Sequence, residues 1–144
     1  MDGRDLDKLV EKALSVHRNS YAPYSNVHVA AAVEAEDGTI YTGVNVENAS
    51  YGLTICAERA AIAAMVAAGR RRVVKIAIVA DTPEPLPPCG ACRQVLAEFG
   101  SRDTLVVSVS TVTKESRVWR LGELLPYAFT VEHIRENRGS DAAP

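Results

Sequence analysis

Cysteine, histidine and aromatic residues are all scarce in this sequence, and each scarcity narrows what the chain can be. Its 144 residues include three cysteines, three histidines and one tryptophan, and aromatics make up 6%. A small, odd number of cysteines in a chain of this length is not the framework of a disulfide-stapled secreted domain. No charge of one sign dominates: 16 Lys and Arg face 18 Asp and Glu, a formal net charge of −2. That excludes the basic stripe of a general nucleic-acid binder and the polybasic anchor of a membrane-surface protein. Long hydrophobic runs are also missing. The longest, Ala60 to Ala68, has nine residues, whereas a spanning helix needs about 20. The opening MDGRDLDKLV mixes acids and bases, so no secretory leader is expected there and the expected compartment is the cytoplasm.

What is present is ordinary globular material. Hydrophobic residues make up 47%, and a chain this long matches the prior of roughly 150 residues for one domain. Leu6 to Asn19 carries apolar residues on one helical face. Two apolar runs, VHVAAAVEA and TIYTGVNV, flank Asp37-Gly38 and predict a hairpin with a tight turn. Cys56 to Gly69 is helix-forming, with Gly69 as its stop. The triplet Arg70-Arg71-Arg72 reads as cations at that helix C-terminus. VVKIAIVA and TLVVSVS are strands, CGACRQVLAEFG is a helix between them, and RVWRLGELLP holds a short strand and a short helix. This order predicts an α/β domain: helices on a partly parallel sheet that begins with an antiparallel hairpin. The expected domain covers residues 1–131, followed by a flexible tail over 132–144.

The residues richest in chemistry are Cys56, Cys89 and Cys92, with Glu58 beside the first. All three cysteines fall at two predicted helix starts, where the macrodipole lowers thiol pKa values. Cys89 and Cys92 share a face by their i,i+3 spacing. Two such helix tips that converge would offer one plus two thiolates to a single soft cation, and zinc suits that donor set best. A structural zinc is usually closed by four protein ligands. Three leave a position open for water, as in catalytic sites. No fourth cysteine exists, and His17, His28 and His133 are remote in sequence from both cysteine motifs. Glu58 would then be the proton carrier, which requires it to sit at the helix tip. Three thiolates leave a zinc site net negative, and Arg59 or Arg93 would offset that charge. The Cys89–Cys92 pair alone also has the spacing of a thiol oxidoreductase, but that scheme has no use for Cys56 and Glu58.

These residues carry a resemblance. TICAERAA with PPCGACRQVL resembles the zinc-dependent cytidine deaminases, in particular their small homotetrameric class. The class signature is a His or Cys, any residue, Glu, and later Pro-Cys-x-x-Cys. It falls here on Cys56-Ala57-Glu58 and Pro88 to Cys92. SYAPYSNVHVAAAV, the stretch DGTIYTGVNVENASYGLTICAER, and ELLPYAF extend the likeness over most of residues 20 to 130.

The resemblance implies a three-layer α-β-α sandwich around a mixed sheet of about five strands. It implies one zinc per chain held by Cys56, Cys89 and Cys92, with Glu58 moving protons during hydrolytic deamination of cytidine or deoxycytidine in pyrimidine salvage. Asn45 and Glu47 would bind the sugar, and Val27, Ala57 and Phe129 would contact substrate, Phe129 in a neighbouring subunit's site. Arg59 would support the metal ligands. The expected partners are a nucleoside and further copies of the chain in a homotetramer, with no nucleic acid and no membrane. Two departures from the family pattern stand out: Val27 replaces a common aromatic and Ala30 a common glycine. Val27 keeps another aminated heterocycle or modified nucleoside open as the substrate. A zinc-stabilised binding protein without turnover is the reading from a different class.

Overall fold

A stretch with no charge between Val27 and Val33 leads into an interior strand, from Val29 on, that is buried on both faces of its sheet. The computed structural model describes the backbone of residues 3–138 and the side chains of residues 6–134. Its elements run α1 (Gly3–His17), β1 (Val29–Ala35), β2 (Ile40–Val44), α2 (Ala57–Ala67), β3 (Val73–Ala80), α3 (Gly90–Phe99), β4 (Leu105–Ser110), β5 (Ser116–Arg120), α4 (Leu121–Leu124) and α5 (Val131–Arg138). A single 3-10 turn, Tyr51–Leu53, precedes α2. The five strands lie in the order β2-β1-β3-β4-β5. Only β3 and β4 are parallel, and the other neighbours are antiparallel. The parallel pair needs a crossover, which α3 provides.

Alternation along β1 sends side chains to two different cores. Ala31 and Val33 join Ile76 and Ile78 of β3, Ala61, Ile62 and Met65 of α2, and Leu96 of α3. Ala30 and Ala32 face the other way, onto Leu9 and Ala13 of α1 and Ala77 and Val79 of β3. The expected three-layer α/β sandwich is therefore the observed one. Ala30 belongs to the α1 layer, on the face away from the helices that carry the cysteines.

Helix α2 lies unusually close to edge strand β2. A Cβ built on Gly43 would stand 2.4 Å from the Ala61 nitrogen and 2.7 Å from the Ala57 carbonyl oxygen. Only a residue without a side chain permits that approach, so Gly43 sets where α2 sits and hence where its first turn points. The helix stops as expected at Gly69, which has φ +92°. The Arg70 N–H closes back to the Met65 carbonyl in the usual glycine-terminated pattern. Arg71 donates to the carbonyls of Val66 and Arg70, and Arg70 pairs with Asp37 at 2.8 Å. Two of the three arginines thus serve the helix end and its neighbourhood.

Two elements differ from the sequence expectation. The β1–β2 hairpin is not closed by Asp37-Gly38 alone. Glu36, Asp37 and Gly38 form a three-residue loop, with Gly38 at φ +84° and the Ala35 N–H bonded to the Thr39 carbonyl. This is a type I turn followed by a left-handed residue, the next commonest hairpin closure after the two-residue turns. The stretch expected to be tail from Glu132 is helical through Arg138. Its start is fastened where the Thr130 N–H donates to Nδ1 of His133, an end contact that composition does not reveal. Residues 139–144 lie outside the described residues.

Replacing Gly43 by Val should cost about 2–3 kcal/mol by overpacking and should weaken metal retention in parallel, because the displaced element carries Cys56. Urea denaturation and metal content of the purified variant check both parts.

Candidate functional site

Helix N-caps normally carry Ser, Thr, Asp or Asn, whose oxygen satisfies a free backbone N–H. Here the N-caps of α2 and α3 are Cys56 and Cys89, and neither side chain makes a capping hydrogen bond. Both sulfurs are turned toward each other instead, 3.9 Å apart. Cys92, in the first turn of α3, completes the cluster, and all three Sγ atoms lie within 4.8 Å of one another. Tetrahedral zinc with bonds near 2.3 Å holds its sulfurs about 3.8 Å apart, so the observed spacing fits that ion. Among the described residues no His, Asp or Glu atom joins the cluster. The donor set is three thiols, as the ligand arithmetic requires for an open fourth position.

The electrostatics of the cluster match its donor set. The Cys92 thiol beside Cys56 holds the Cys56 thiol down to about 5, and the Arg59 guanidinium adds to that effect. Cys92 is pushed above the ordinary thiol range by the same contact and by burial. One sulfur is therefore a ready thiolate, and a metal entering the site must displace the remaining protons.

Glu58 is 5% exposed and sits in the first turn of α2. Burial pushes its carboxyl up to about 7, and the neighbouring Cys56 charge adds to the shift. Residues 56 and 58 would diverge on a regular helix, but Cys56 is the N-cap of α2. Cys56 is extended at φ −75°, ψ 151°, outside the helical repeat. A carboxyl near pKa 7 beside a metal centre is suited to taking and returning protons at neutral pH.

The arginines divide. Arg59 donates through Nη2 to the Thr54 carbonyl at 3.0 Å, while its Nε is buried without a hydrogen-bond partner. Arg93 spends its Nε on the Pro88 carbonyl and its Nη1 on the Leu124 carbonyl, both at 2.8 Å. It ties the cysteine loop to α4 through backbone oxygens.

Asn45 and Glu47 follow β2 and straddle Val46, which is bridged to Tyr21 on one side and Ile55 on the other. Both side chains reach the segment that leads into β1. Asn45 Oδ1 accepts from the Val29 N–H and the Ser20 hydroxyl, and Nδ2 donates to the Val27 carbonyl at 2.9 Å. Glu47 Oε1 accepts from the N–H groups of Tyr24 and Ser25, and Oε2 from the Ser25 hydroxyl. This accounting leaves one amide hydrogen on Asn45 and acceptor capacity on Glu47 Oε2 for an external partner. Tyr24, Ser25, Glu47, Tyr51 and Thr54 line an open depression.

The remaining expected positions are placed as follows. Val27 is half-buried, packs on the α2-side core and meets Asn45 through its carbonyl. Ala57 is wholly buried, backbone included, so the single chain offers no free surface of this residue to a substrate. Phe129 is 60% exposed and stacks on His133 with ring centroids 5.6 Å apart. It lines a separate depression with Arg102 and Pro126, and the single chain does not bring it to the cysteines. Sequence reasoning missed Ser20, Ser25 and Thr54. No periodicity marks such loop residues, and their roles depend on contacts across more than twenty positions for the two serines.

An α/β sandwich with a three-thiol metal centre at two helix tips defines a metal-binding protein with one coordination position left free. The family model for the cytidine and deoxycytidylate deaminase zinc-binding region matches residues 4–108. The cytidine deaminase of Halalkalibacterium halodurans is 46% identical over 132 residues, covering 92% of this chain and 99% of that protein. The cytidine deaminase of Mycobacterium tuberculosis is 40% identical over 134 residues, covering 93% and 96%. Among solved structures, the cytidine deaminase of Burkholderia pseudomallei superposes with a TM-score of 0.82 at 45% identity, covering 90% of this chain and all of that one. The chain belongs to the zinc-binding cytidine and deoxycytidylate deaminase family, and its cofactor is zinc.

Purified protein should hold one zinc per chain by elemental analysis. Cys92→Ala should hold less than a tenth of that under dialysis against a mild chelator, since removing one of three thiolates deprives the site of much of its affinity.

Proposed function

We propose that this chain catalyses the hydrolytic deamination of cytidine and deoxycytidine to uridine and deoxyuridine, with release of ammonia. The observation that carries this reading is a buried carboxyl, Glu58, next to a three-thiol centre with no fourth protein ligand among the described residues. Zinc, when bound by Cys56, Cys89 and Cys92, supplies a Lewis acid that makes a water nucleophilic near neutral pH. Glu58 accepts the proton lost by the attacking water and delivers it to N3 of the ring as the C4–O bond forms. A second proton passes through the same carboxyl to the amino nitrogen, and the C4–N bond breaks as ammonia leaves. One carboxyl suffices because it alternates between base and acid, which a pKa near 7 permits.

Asn45 and Glu47 complete the substrate site. Their remaining capacities are complementary: a sugar hydroxyl can accept from Asn45 Nδ2 and donate to Glu47 Oε2. Val27 offers a small apolar wall toward the base. Arg59 lies beside the sulfurs and balances their charge.

The working unit in this reading is a homotetramer with shared sites. Phe129 supports it, because it is exposed and away from the cysteines of its own chain. So does the exposed apolar rim of Tyr51, Leu53 and Ile55 next to α2. Light scattering on a size-exclusion peak should give four times the chain mass, and a fully active monomer would contradict the shared site. Cytoplasmic salvage of pyrimidines is the corresponding role. Among the described residues no helix is long and apolar enough to cross a membrane.

The decisive assay follows loss of cytidine absorbance together with ammonia release. Glu58→Gln should lower kcat by about a thousandfold, within the range expected for a general acid–base residue, while zinc content stays at the wild-type level. Metal-stripped protein should be inactive and recover on adding zinc. A folded, zinc-loaded wild type that leaves cytidine untouched would overturn the assignment.

A further inference from the structure

The segment leading into β1 closes on Glu47 from three directions, and one residue supplies two of them. The Ser25 N–H lies 3.1 Å from Glu47 Oε1 and its hydroxyl 2.5 Å from Oε2. The Tyr24 N–H adds a third contact at 3.0 Å to Oε1. The direction of the Ser25 hydroxyl proton is determined. Its oxygen already accepts the Val27 N–H at 3.0 Å, so its single hydrogen is left for the carboxylate. Successive N–H groups aimed at one anionic oxygen form a backbone nest.

That nest exists because the turn is bent. Asn26 has φ +61°, a left-handed conformation that Asn tolerates better than most residues. Its N–H closes onto the Ala22 carbonyl at 3.0 Å. The two serine contacts also hold Glu47 below the usual carboxylate range, with the hydroxyl the larger cause. Glu47 is thus kept ionised, oriented, and with acceptor capacity on Oε2 only.

We infer that Ser25 is a positioning residue for substrate recognition: it fixes the Glu47 carboxylate so that Oε2 can accept a hydrogen bond from a sugar hydroxyl of the nucleoside. The inference rests on the proposed nucleoside reading and deepens it. The hydrogen bonds of Ser25 go to Glu47 and Val27 rather than to Glu58 or the cysteines, so its effect belongs to discrimination between sugars rather than to the chemical step.

The test compares kcat/KM for cytidine and for 2′,3′-dideoxycytidine, which keeps the base and the 5′-hydroxyl and lacks the 2′ and 3′ hydroxyls, in zinc-loaded full-length protein. In Ser25→Ala the preference for cytidine should fall about tenfold, the size expected when a charge-assisted hydrogen bond is lost. Ser25→Thr, which keeps the hydroxyl, should restore most of it. In a Glu47→Gln background Ser25→Ala should change the preference less than twofold, because coupled residues do not act additively. Zinc content and melting temperature are measured alongside to compare folded, loaded samples. A preference unchanged by Ser25→Ala, or an equal loss with both nucleosides, overturns the positioning role. A wild type that does not discriminate the two nucleosides overturns instead the sugar contact of Glu47, and one that converts neither overturns the cytidine reading itself.

Discussion

Three thiols lie within 4.8 Å of one another, and they meet only because the sheet holds two helix tips side by side. Each sulfur lies at or just inside a helix start, where unsatisfied N–H groups favour negative charge. Both helix tips give up an oxygen cap for this purpose. The energy of folding must therefore come from elsewhere. It comes from the two apolar layers on either side of the sheet, and from the close seat of α2 on β2 that Gly43 allows. The metal centre is a consequence of where the sheet places two helix ends, and any change that shifts α2 reaches the sulfurs through the backbone.

Legibility in the sequence follows the range of the interaction. Cys56, Glu58, Cys89 and Cys92 could be read because their signals are local: short spacings at helix starts, and a count that forbids a fourth thiol. Gly69 was equally readable, since a glycine after an alanine-rich run ends a helix for a local reason. The closure of the hairpin was legible as a turn but not as a three-residue one, because Asp-Gly serves two-residue and longer loops alike. The helix over Val131–Arg138 was not legible. It is short, its residues are polar, and its start depends on the contact of Thr130 with His133. Ser25 carried no signal either, for its partner lies 22 residues away.

Asn45 and Glu47 show a finer limit. As an amide and a carboxylate two residues apart they could be turn-forming residues or ligands, and the sequence does not separate the two. The structure gives them the first role and leaves each with capacity for the second. Asn45 spends three of its four hydrogen-bonding positions on Ser20, Val27 and Val29. Glu47 spends most of its acceptors on the Tyr24–Ser25 turn. Their scaffold bonds are what give the remaining positions a definite polarity: a donor on one, an acceptor on the other. A freely rotating amide could present either group, and a freely rotating carboxylate could present either oxygen.

The same logic explains why Glu58 differs from Glu47, although both are carboxylates of the proposed substrate site. Glu47 is surrounded by donors and lies at an open depression, so its charge is stabilised and it stays an acceptor. Glu58 is buried beside sulfur, so its charge is disfavoured and its proton is held to about pH 7. Hydrogen bonds from its own backbone N–H and from Cys92 pull in the opposite direction, and the Arg59 charge adds to them. A carboxyl balanced between these two effects can give and take a proton in one cycle. One kept ionised by hydrogen bonds can only accept. The division of labour that the proposed reaction asks of these two residues, recognition and proton transfer, is thus matched by burial and by backbone donors rather than by residue type.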